Sequence, residues 1–547
     1  MKTTTTRLIA LLIALGLSTA AFRVAEDNNY FEILKNIEIF TNLYKELNTN
    51  YVDEIDPGKL MRTGLESMVG SLDPFTNYIP ESRIEEFRIA SEGKYRGIGA
   101  TVRRKGEELV LTDLYEDSPA NRSGLKAGDR ILAIDGKTTQ GKTPSEVNEI
   151  LQGFPGSEVT LSVQPFGTDK PEEVTLVRGE VSIANVPYSG MVSDEVGYIN
   201  LTTFTRDAGK NVQKALRDLQ RENPDMEGVI LDLRGNGGGL LTEAVNVVNT
   251  FVPKGELVVS MRGKLENRNR DFKTMAEAID TDIRVAVLIN SKSASASEIV
   301  SGAIQDLDRG VLLGQRSYGK GLVQNTMDVG YNSQLKVTTA KYYIPSGRCI
   351  QSVRYKDGEP LQIPDEERSQ FKTRGGRTVL DGGGVKPDVT LEEARDVPLI
   401  KSLDDGLWIV DFASVYCQGM DSISDARDFV FRDFETFSAF LSDSEYHFES
   451  AAEKELKAFE EALEDSGEAP QVSEELAILY RKLDESTGRV MEMRREEILS
   501  LIQQEIVSRF YFHRGRVENG LNNDPQVIAA IEVLMDQDRY AAILKPE

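Results

Sequence analysis

The sequence predicts a multidomain α+β protein in which helical regions flank a β-rich segment and a layered α/β core. Three observations predict this fold class. Apolar residues recur at helical spacing near the amino terminus, short β-rich runs separated by glycine turns follow, and strands then alternate with helices. A chain of 547 residues, 40% of them hydrophobic, is long enough for several cored domains. The predicted segments are residues 1–24, 25–94, 95–168, 169–395 and 396–547.

The first 24 residues have the composition of an export segment. Lys2 and Arg7 precede an apolar stretch from Leu8 to Leu17, and the small residues at 18–21 offer a cleavage site. An apolar run of about 15 residues is short for a membrane span, which favours a cleaved signal peptide and leaves an uncleaved N-terminal anchor as the alternative. We therefore expect an exported protein of the periplasm or the cell envelope.

Charge and cysteine content exclude several classes of function. The formal net charge of −25 would repel a phosphate backbone, so nucleic acid is not an expected partner. The chain has two cysteines, Cys349 and Cys417, and two histidines, His447 and His513, and none of them has zinc-ligand spacing. The sequence predicts no metal and no cofactor, and it gives little support to a disulfide.

Residues 25–94 are predicted to be mainly helical. The run LDPFTNYIP at 72–80 interrupts them with prolines and aromatic residues, which is typical of a buried turn. We expect the apolar face of the first helix to pack against another domain. The residues that define this face are Phe31, Leu34, Ile37, Phe40 and Leu43.

Residues 95–168 closely resemble a PDZ domain. The resemblance rests on the loop Gly97-Ile98-Gly99-Ala100, on the run SPANRSGLKAGDRIL at 118–132 and on Asp135-Gly136 after the central strand. In such a module a peptide adds as a strand to an open sheet edge, while backbone N–H groups of the glycine loop hold its terminal carboxylate. The resemblance implies that Gly97, Ile98, Gly99 and Ala100 bind a free protein C-terminus.

The remaining chain divides into an α/β core and a helical extension. Strands are predicted at 197–201, 228–233 and 285–289, and helices near 208–219 and from Leu241. Residues 396–547 are acidic and helical and contain no motif for catalysis, so we expect a packing or interaction extension.

Ser295 and Lys320 are the candidate catalytic residues. Ser295 follows a buried strand and precedes a helical run, where its hydroxyl can be exposed beside the partial positive charge of a helix amino terminus. No histidine occurs before His447, so lysine is the natural base, and Gln324 could orient its amine. A neutral lysine needs a pKa well below the reference value of about 10.4. Serine caps and Gly-Lys-Gly turns are also common structural features, so the residues alone leave that alternative open.

The run DLRGNGGG at 232–239 is a glycine-rich turn between a strand and a helix. One of its N–H groups and that of Ala296 could form an oxyanion hole. Phosphate binding is disfavoured because Leu240 takes the last glycine position of the dinucleotide-binding pattern. Residues 314–320 match a phosphate loop only up to Lys320, since Gly321 replaces the Ser or Thr that binds magnesium. The S-x-x-K spacing of Ser317 and Lys320 would need a helical turn, which the adjacent glycines disfavour.

Taken in order, the PDZ-like module, DLRGNGGG, SASASEI and YGKGLVQ resemble the C-terminal processing peptidases, or tail-specific proteases, over about residues 30–390. The resemblance implies Ser295 as nucleophile, Lys320 as general base and Gln324 as its partner. It also implies an oxyanion hole at Ala296 and Gly237, a crotonase-like α/β core, and a PDZ domain that gates entry of substrates with free C-termini.

Two other functions and two further partners stay open from the sequence. A non-catalytic PDZ scaffold and an esterase-like hydrolase with the same dyad are the alternative functions. An activator or adaptor protein and a homo-oligomer are the further partners.

Overall fold

The computed structural model describes residues 30–84, 92–351, 355–356, 359–360, 363–392, 397–466 and 472–546. They form two units. The first contains the described residues up to Glu81 together with Gln324–Thr338, and the second contains those of Ser82–Val323 and Thr339–Glu547. The predicted export segment lies outside the described residues. In the ranges that are described, no helix is long and apolar enough to cross a membrane.

The first unit begins with helix α1 at residues 30–50, helix α2 at Pro57–Gly70 and strand β1 at Asn77–Ile79. The predicted helical spacing of α1 is confirmed, but the five residues that define its apolar face are 41–62% exposed. Helix α2 of the same unit has no buried residue, and the packing of this face against another domain stays a prediction.

The predicted turn at 72–80 is held by the Asp73 side chain. Its Oδ1 accepts the N–H groups of Phe75 and Thr76, both at 2.8 Å, and its Oδ2 accepts the Thr76 hydroxyl at 2.8 Å. Thr76 is buried, whereas Leu72 is exposed, so the turn is buried only in part. Strand β1 then pairs antiparallel with residues 334–336.

The PDZ-like module is a six-stranded sheet with one short helix against its edge. Strand β3 pairs with β4 alone among the described strands, and α4 packs beside it. Thr143 and Glu146 form a capping box at the start of α4. Strands β2 and β9 pair separately. The elements are β2 Lys94–Gly97, β3 Ala100–Lys105, β4 Glu108–Leu114, α3 Pro119–Arg122, β5 Arg130–Ile134, β6 Lys137–Thr138, α4 Pro144–Leu151, β7 Glu158–Gln164, β8 Glu172–Val177 and β9 Gly179–Ser182.

The α/β core is built on a six-stranded sheet. The strands lie side by side in the order β10, β11, β12, β15 and β16, and the sixth strand is Val389–Thr390. Strand β10 pairs antiparallel with β11, and all the other neighbouring strands pair in parallel. Alternate residues face opposite sides, as the two-residue period of a strand requires. The elements are β10 Tyr188–Met191, β11 Val196–Asn200, α5 Ala208–Glu222, β12 Gly228–Asp232, α6 Leu241–Val248, β13 Leu257–Gly263, β14 Arg270–Lys273, β15 Arg284–Ile289, α7 Ala296–Asp306 and β16 Val311–Gly314.

Both faces of this sheet are covered. On one face Val229, Val285 and Val287 pack with α5, α6 and α7, and on the other Ile230 and Leu288 pack with residues near the carboxyl terminus. The sheet is therefore the middle layer of three, as buried parallel strands require.

Further β structure follows the core strands. Strand β13 pairs antiparallel with β14 and with residues 340–343 of β18. Short 3₁₀ turns lie at Glu81–Arg83, Glu266–Arg268, Asp365–Glu367 and Leu521–Asn523. The strands are β17 Leu322–Gly330, β18 Ser333–Tyr343, β19 Tyr355–Lys356, β20 Glu359–Pro360, β21 Gln370–Lys372 and β22 Thr378–Leu380.

The carboxyl-terminal region is helical, as predicted. Its first helices pack around a hydrophobic core of their own, which contains Phe412, Phe437 and Ile502. Its last two helices cover one face of the six-stranded sheet. There the Tyr540 hydroxyl accepts the N–H of Val285 and donates to its carbonyl. The helices are α8 Pro398–Asp405, α9 Trp408–Tyr416, α10 Phe434–Asp443, α11 Ala451–Ser466, α12 Ser473–Met493, α13 Arg495–Gly520, α14 Pro525–Met535 and α15 Gln537–Ile543.

Helix α9 and the residue before it contact the β3–β4 hairpin of the PDZ-like module, on the face that points away from the module's own hydrophobic core. Lys105 forms an ion pair with Asp411 and lies 4.0 Å from the centroid of the Trp408 ring. Val110 packs with Val410 and a neighbouring leucine. The extension is thus a packing element, as the sequence indicated.

Candidate active site

Ser295 occupies the turn between β15 and α7. Its backbone has φ 58° and ψ −110°, which is a strained conformation for a residue with a side chain. The residue is the N-cap of α7, and its N–H donates to Oε2 of Glu298 at 2.8 Å. The predicted strand-to-helix junction is confirmed, and it has the sharp geometry that exposes a nucleophilic serine in α/β-hydrolases.

A buried carboxylate, Glu298, links the Ser295 turn to the segment that carries Lys320. Its Oε2 accepts the N–H groups of Ser295 and Lys320, both at 2.8 Å. Its Oε1 accepts the Gly319 N–H at 2.7 Å and the Ser317 hydroxyl at 2.5 Å. Burial raises the pKa of Glu298, and the four donated hydrogen bonds oppose that rise. Sequence reasoning missed this residue, although its position three residues after a serine at a helix start fits a capping box.

The Lys320 segment is an irregular loop without a helical turn, so it does not adopt the helix that an S-x-x-K motif requires. The Tyr318 N–H donates to the Ser293 carbonyl at 3.0 Å, and the Gly321 N–H donates to Gln351 Oε1 at 2.9 Å. A Cβ on Gly321 would lie 2.6 Å from the backbone nitrogen of Gln351, so only glycine fits there. Lys320 itself is half-buried.

Gln324 lies on β17, four residues after Lys320, and belongs to the first unit. Its amide nitrogen donates to the Thr338 hydroxyl at 3.4 Å. Its assignment as the orienting partner of the lysine stays a prediction.

The glycine-rich turn after β12 lies against Ser295. The buried Asn236 joins the two turns, because its carbonyl accepts the Ala294 N–H at 3.0 Å and the Ser297 hydroxyl at 2.8 Å. A Cβ on Gly238 would lie 2.8 Å from that of Ser295 and 2.9 Å from the Ala296 nitrogen. The close approach, together with a φ of 101°, explains the glycine.

The N–H groups predicted for the oxyanion hole belong to Ala296 and Gly237. Within the described residues neither donates to a protein acceptor, whereas the Gly238 N–H donates to Asn236 Oδ1 at 2.9 Å. Ala296 follows Ser295 at the amino terminus of α7, and Gly237 precedes Gly238, which approaches Ser295. Their role as an oxyanion hole stays a prediction.

Comparison with known proteins gives matches along three parts of the chain. Residues 195–359 match peptidase family S41, residues 110–165 match the PDZ domain, and residues 399–534 match the C-terminal helical domain of a probable PDZ-protease. A carboxy-terminal-processing protease of Bartonella bacilliformis is 36% identical over 328 residues, which cover 60% of this chain and 75% of that relative. The chain belongs to the C-terminal processing peptidases of family S41.

A second relative of the peptidase is a probable CtpA-like serine protease of Staphylococcus aureus, 31% identical over 445 residues that cover 79% of each chain. A solved structure, the photosystem II D1 C-terminal processing protease, is 27% identical and covers 64% of this chain and 92% of that one, with a TM-score of 0.36. Because a TM-score of 0.36 is low, the family assignment rests on the two relatives found by sequence similarity. The predicted family and the predicted serine-type peptidase with a PDZ domain are confirmed.

Arg234 and the two cysteines have defined positions in the peptidase. Arg234 contacts Asp232 and forms an ion pair with Asp524 at 2.8 Å, so it joins the core to the helical extension. Cys349 and Cys417 are free thiols.

The predicted carboxylate loop of the PDZ domain has a neighbouring side chain over it. The loop carbonyls are engaged, because Gly99 O accepts the Ser118 hydroxyl at 3.0 Å and Ile98 O accepts a backbone N–H at 2.8 Å. The Tyr95 ring lies beside the loop, because a Cβ on Gly97 would lie 2.9 Å from one of its ring carbons.

Proposed function

We propose that the peptidase cleaves proteins selected by their C-termini, with Ser295 as nucleophile and Lys320 as general base. The observation that carries this proposal is the Glu298 carboxylate, which binds the backbone N–H groups of both residues through one oxygen. A carboxylate in that position keeps the two backbones together without contacting the substrate.

The chemistry follows from the atoms that these residues supply. The neutral Lys320 amine takes the hydroxyl proton of Ser295 as Oγ forms a bond to the scissile carbonyl carbon. The oxygen that becomes negative is stabilised by the N–H groups of Ala296 and Gly237. The ammonium then protonates the leaving amine, and water releases the acyl group in the same way. We further propose Gln324 as the group that orients the lysine.

Substrate selection is assigned to the PDZ domain. The open edge of β3 beside α4 can accept an extended peptide, and Gly97, Ile98, Gly99 and Ala100 would hold its carboxylate. The names of the two relatives, a carboxy-terminal-processing protease and a CtpA-like serine protease, support this role. The boundaries predicted from the sequence, 95–168 for this domain and 169–395 for a crotonase-like core, belong to the same proposal, with the PDZ-like sheet extended to Val177 because β8 pairs with β7.

We also propose that the peptidase is exported, on the composition of residues 1–24. An activator or adaptor protein and a homo-oligomer stay predictions.

The proposal is tested by cleavage of an unstructured protein that ends in apolar residues, followed by mass spectrometry of the products. Ser295→Ala and Lys320→Ala should each lower the rate by about 1,000-fold or more. The matched controls are Ser291→Ala and Lys292→Ala, which change exposed residues of the same types on the same turn and should cleave normally. Covalent labelling by a fluorophosphonate reports the nucleophile even if an activator is needed for cleavage. Labelling or cleavage that survives Ser295→Ala would overturn the assignment.

A further inference from the structure

The helical extension contacts the start of the glycine-rich turn through the side chain of Arg234. This residue lies three positions before Gly237. Its Nε donates to both carboxylate oxygens of Asp232, the last residue of β12, at 3.0 Å. Its Nη2 forms an ion pair with Oδ2 of Asp524 at 2.8 Å, and its Nη1 donates to Oε1 of Gln526 at 3.3 Å. Arg234 therefore joins the end of a buried strand to two residues of the extension.

The carboxylate of Asp524 uses its two oxygens for different purposes. The residue is the N-cap of α14, and its Oδ1 accepts two backbone N–H groups of the first helical turn at 2.9 and 3.2 Å. Its Oδ2 is the oxygen that pairs with Arg234. Helix α14 is packed on the sheet, because Val527 belongs to the same hydrophobic core as Ile230 of β12. The position of Oδ2 is therefore fixed relative to the strand that leads into the turn.

Residues 235–239 of the glycine-rich turn are held by hydrogen bonds rather than by packed side chains. Four of these five residues are glycines, and a glycine backbone has many accessible conformations. The carbonyl of Asn236 accepts the Ala294 N–H at 3.0 Å, which fixes one side of the turn. Among the described residues, nothing beyond its chain neighbours lies within 4 Å of a Cβ built on Gly237. The Gly237 N–H therefore takes its position from bonds that neighbouring residues make, and Arg234 makes those at the start of the turn.

We propose that Asp524 is a positioning residue for peptide cleavage, which holds Arg234 and thereby fixes the turn that carries the Gly237 N–H. The proposal rests on the assignment of Ser295 as nucleophile and of Gly237 to the oxyanion hole. Donors to a developing oxyanion are effective when they are preorganised. A less constrained turn should therefore slow bond formation more than it weakens substrate binding. The helical extension would then contribute to catalysis as well as to packing.

The test replaces Asp524 by serine in the full-length peptidase. Serine caps a helix about as well as aspartate does, so Asp524→Ser keeps a capping oxygen and removes the oxygen that pairs with Arg234. The matched control is Asp536→Ser at the N-cap of α15, where Oδ1 makes the same kind of cap with the Arg539 N–H at 2.9 Å.

Two rates are measured: fluorophosphonate labelling of Ser295, which needs no peptide binding, and cleavage of the unstructured protein. Asp524→Ser should lower the labelling rate and kcat in parallel by about 3- to 30-fold, with KM changed by less than about threefold. Asp536→Ser should leave all three near their original values. A fall in KM-dependent binding alone, with both rates unchanged, would contradict the proposal.

A double-mutant cycle shows whether Asp524 acts through Arg234. Arg234→Gln alone should lower both rates by at least as much as Asp524→Ser does. When Asp524→Ser is added to Arg234→Gln, the rates should fall by less than about twofold more, because the interaction is already lost. Effects that multiply as independent changes would overturn the proposal.

An ion pair that only stabilises the fold gives a different result. Asp524→Ser would then lower the unfolding temperature, while the labelling rate measured well below that temperature stays within twofold of the original. That outcome overturns the proposal. If Asp524→Ser does not fold, Asp524→Asn keeps the size of the side chain and removes its charge, and labelling within twofold of the original would again overturn it. Failure of the proposed function is separately visible, because labelling would then persist in Ser295→Ala.

Discussion

Replacement of Glu298 by glutamine tests whether one buried carboxylate holds the active site together. The two side chains have nearly the same size, so the change removes an acceptor without creating a cavity. Each carboxylate oxygen accepts two hydrogen bonds, one pair from Ser295 and Lys320 and the other from Ser317 and Gly319. Whichever oxygen becomes an NH₂ group, two buried donors lose their acceptor and face another donor.

The magnitude follows from the number of bonds lost. A buried donor without an acceptor costs about 1–3 kcal/mol, so two of them cost about 2–6 kcal/mol. The loop can reduce this cost by moving away, but the movement displaces Lys320 from Ser295. A misplacement of about 1 Å in a catalytic group lowers a rate by about 100-fold. The change should therefore appear as lower stability, lower reactivity or both.

The assay combines the fluorophosphonate labelling rate with thermal unfolding. We expect Glu298→Gln to label at least about 100-fold more slowly or to unfold at a clearly lower temperature. The matched control is Glu227→Gln, which removes the charge of a carboxylate that is paired with Arg284 near the surface; exposed pairs contribute at most about 1 kcal/mol. Glu298→Gln that labels and unfolds as the original enzyme does would refute the role assigned to the carboxylate.

Two more changes test the PDZ domain. Gly97→Ala places a Cβ 2.9 Å from the Tyr95 ring and should displace the carboxylate loop. It should weaken binding of a fluorescent C-terminal peptide by about 3- to 100-fold in a polarisation assay, with an amidated peptide as control; unchanged affinity would contradict it. Lys105→Glu places like charges together at Asp411 and should increase hydrogen exchange in β3, β4 and α9, whereas adding Asp411→Lys should restore protection. Equal exchange in all three proteins would show that the ion pair does not hold the domain.

The active-site turn shows which structural features local sequence patterns can predict. The predicted junction at Ser295 agrees with the structure because a buried strand, a turn of small residues and a helical run are all local features. The glycines beside Lys320 were also informative, because they disfavour a helical turn and the structure has an irregular loop there.

The apolar face of α1 shows the limit of the same reasoning. Helical spacing determined the helix, but nothing in the spacing states what the face contacts. The partner of that face therefore stays a prediction, although the helix itself is present.

The sequence by itself therefore determined the order of the motifs, the family they indicate, and the local elements that carry Ser295 and the PDZ loop. Only the tertiary structure decided that Glu298 bonds Lys320, 22 residues away, and that Tyr540 contacts Val285 across 255 residues. The physical reason is the distance along the chain over which each kind of interaction acts. Capping, periodicity and glycine turns depend on neighbours within a few residues, whereas a buried hydrogen bond between distant residues depends on how the strands and helices pack.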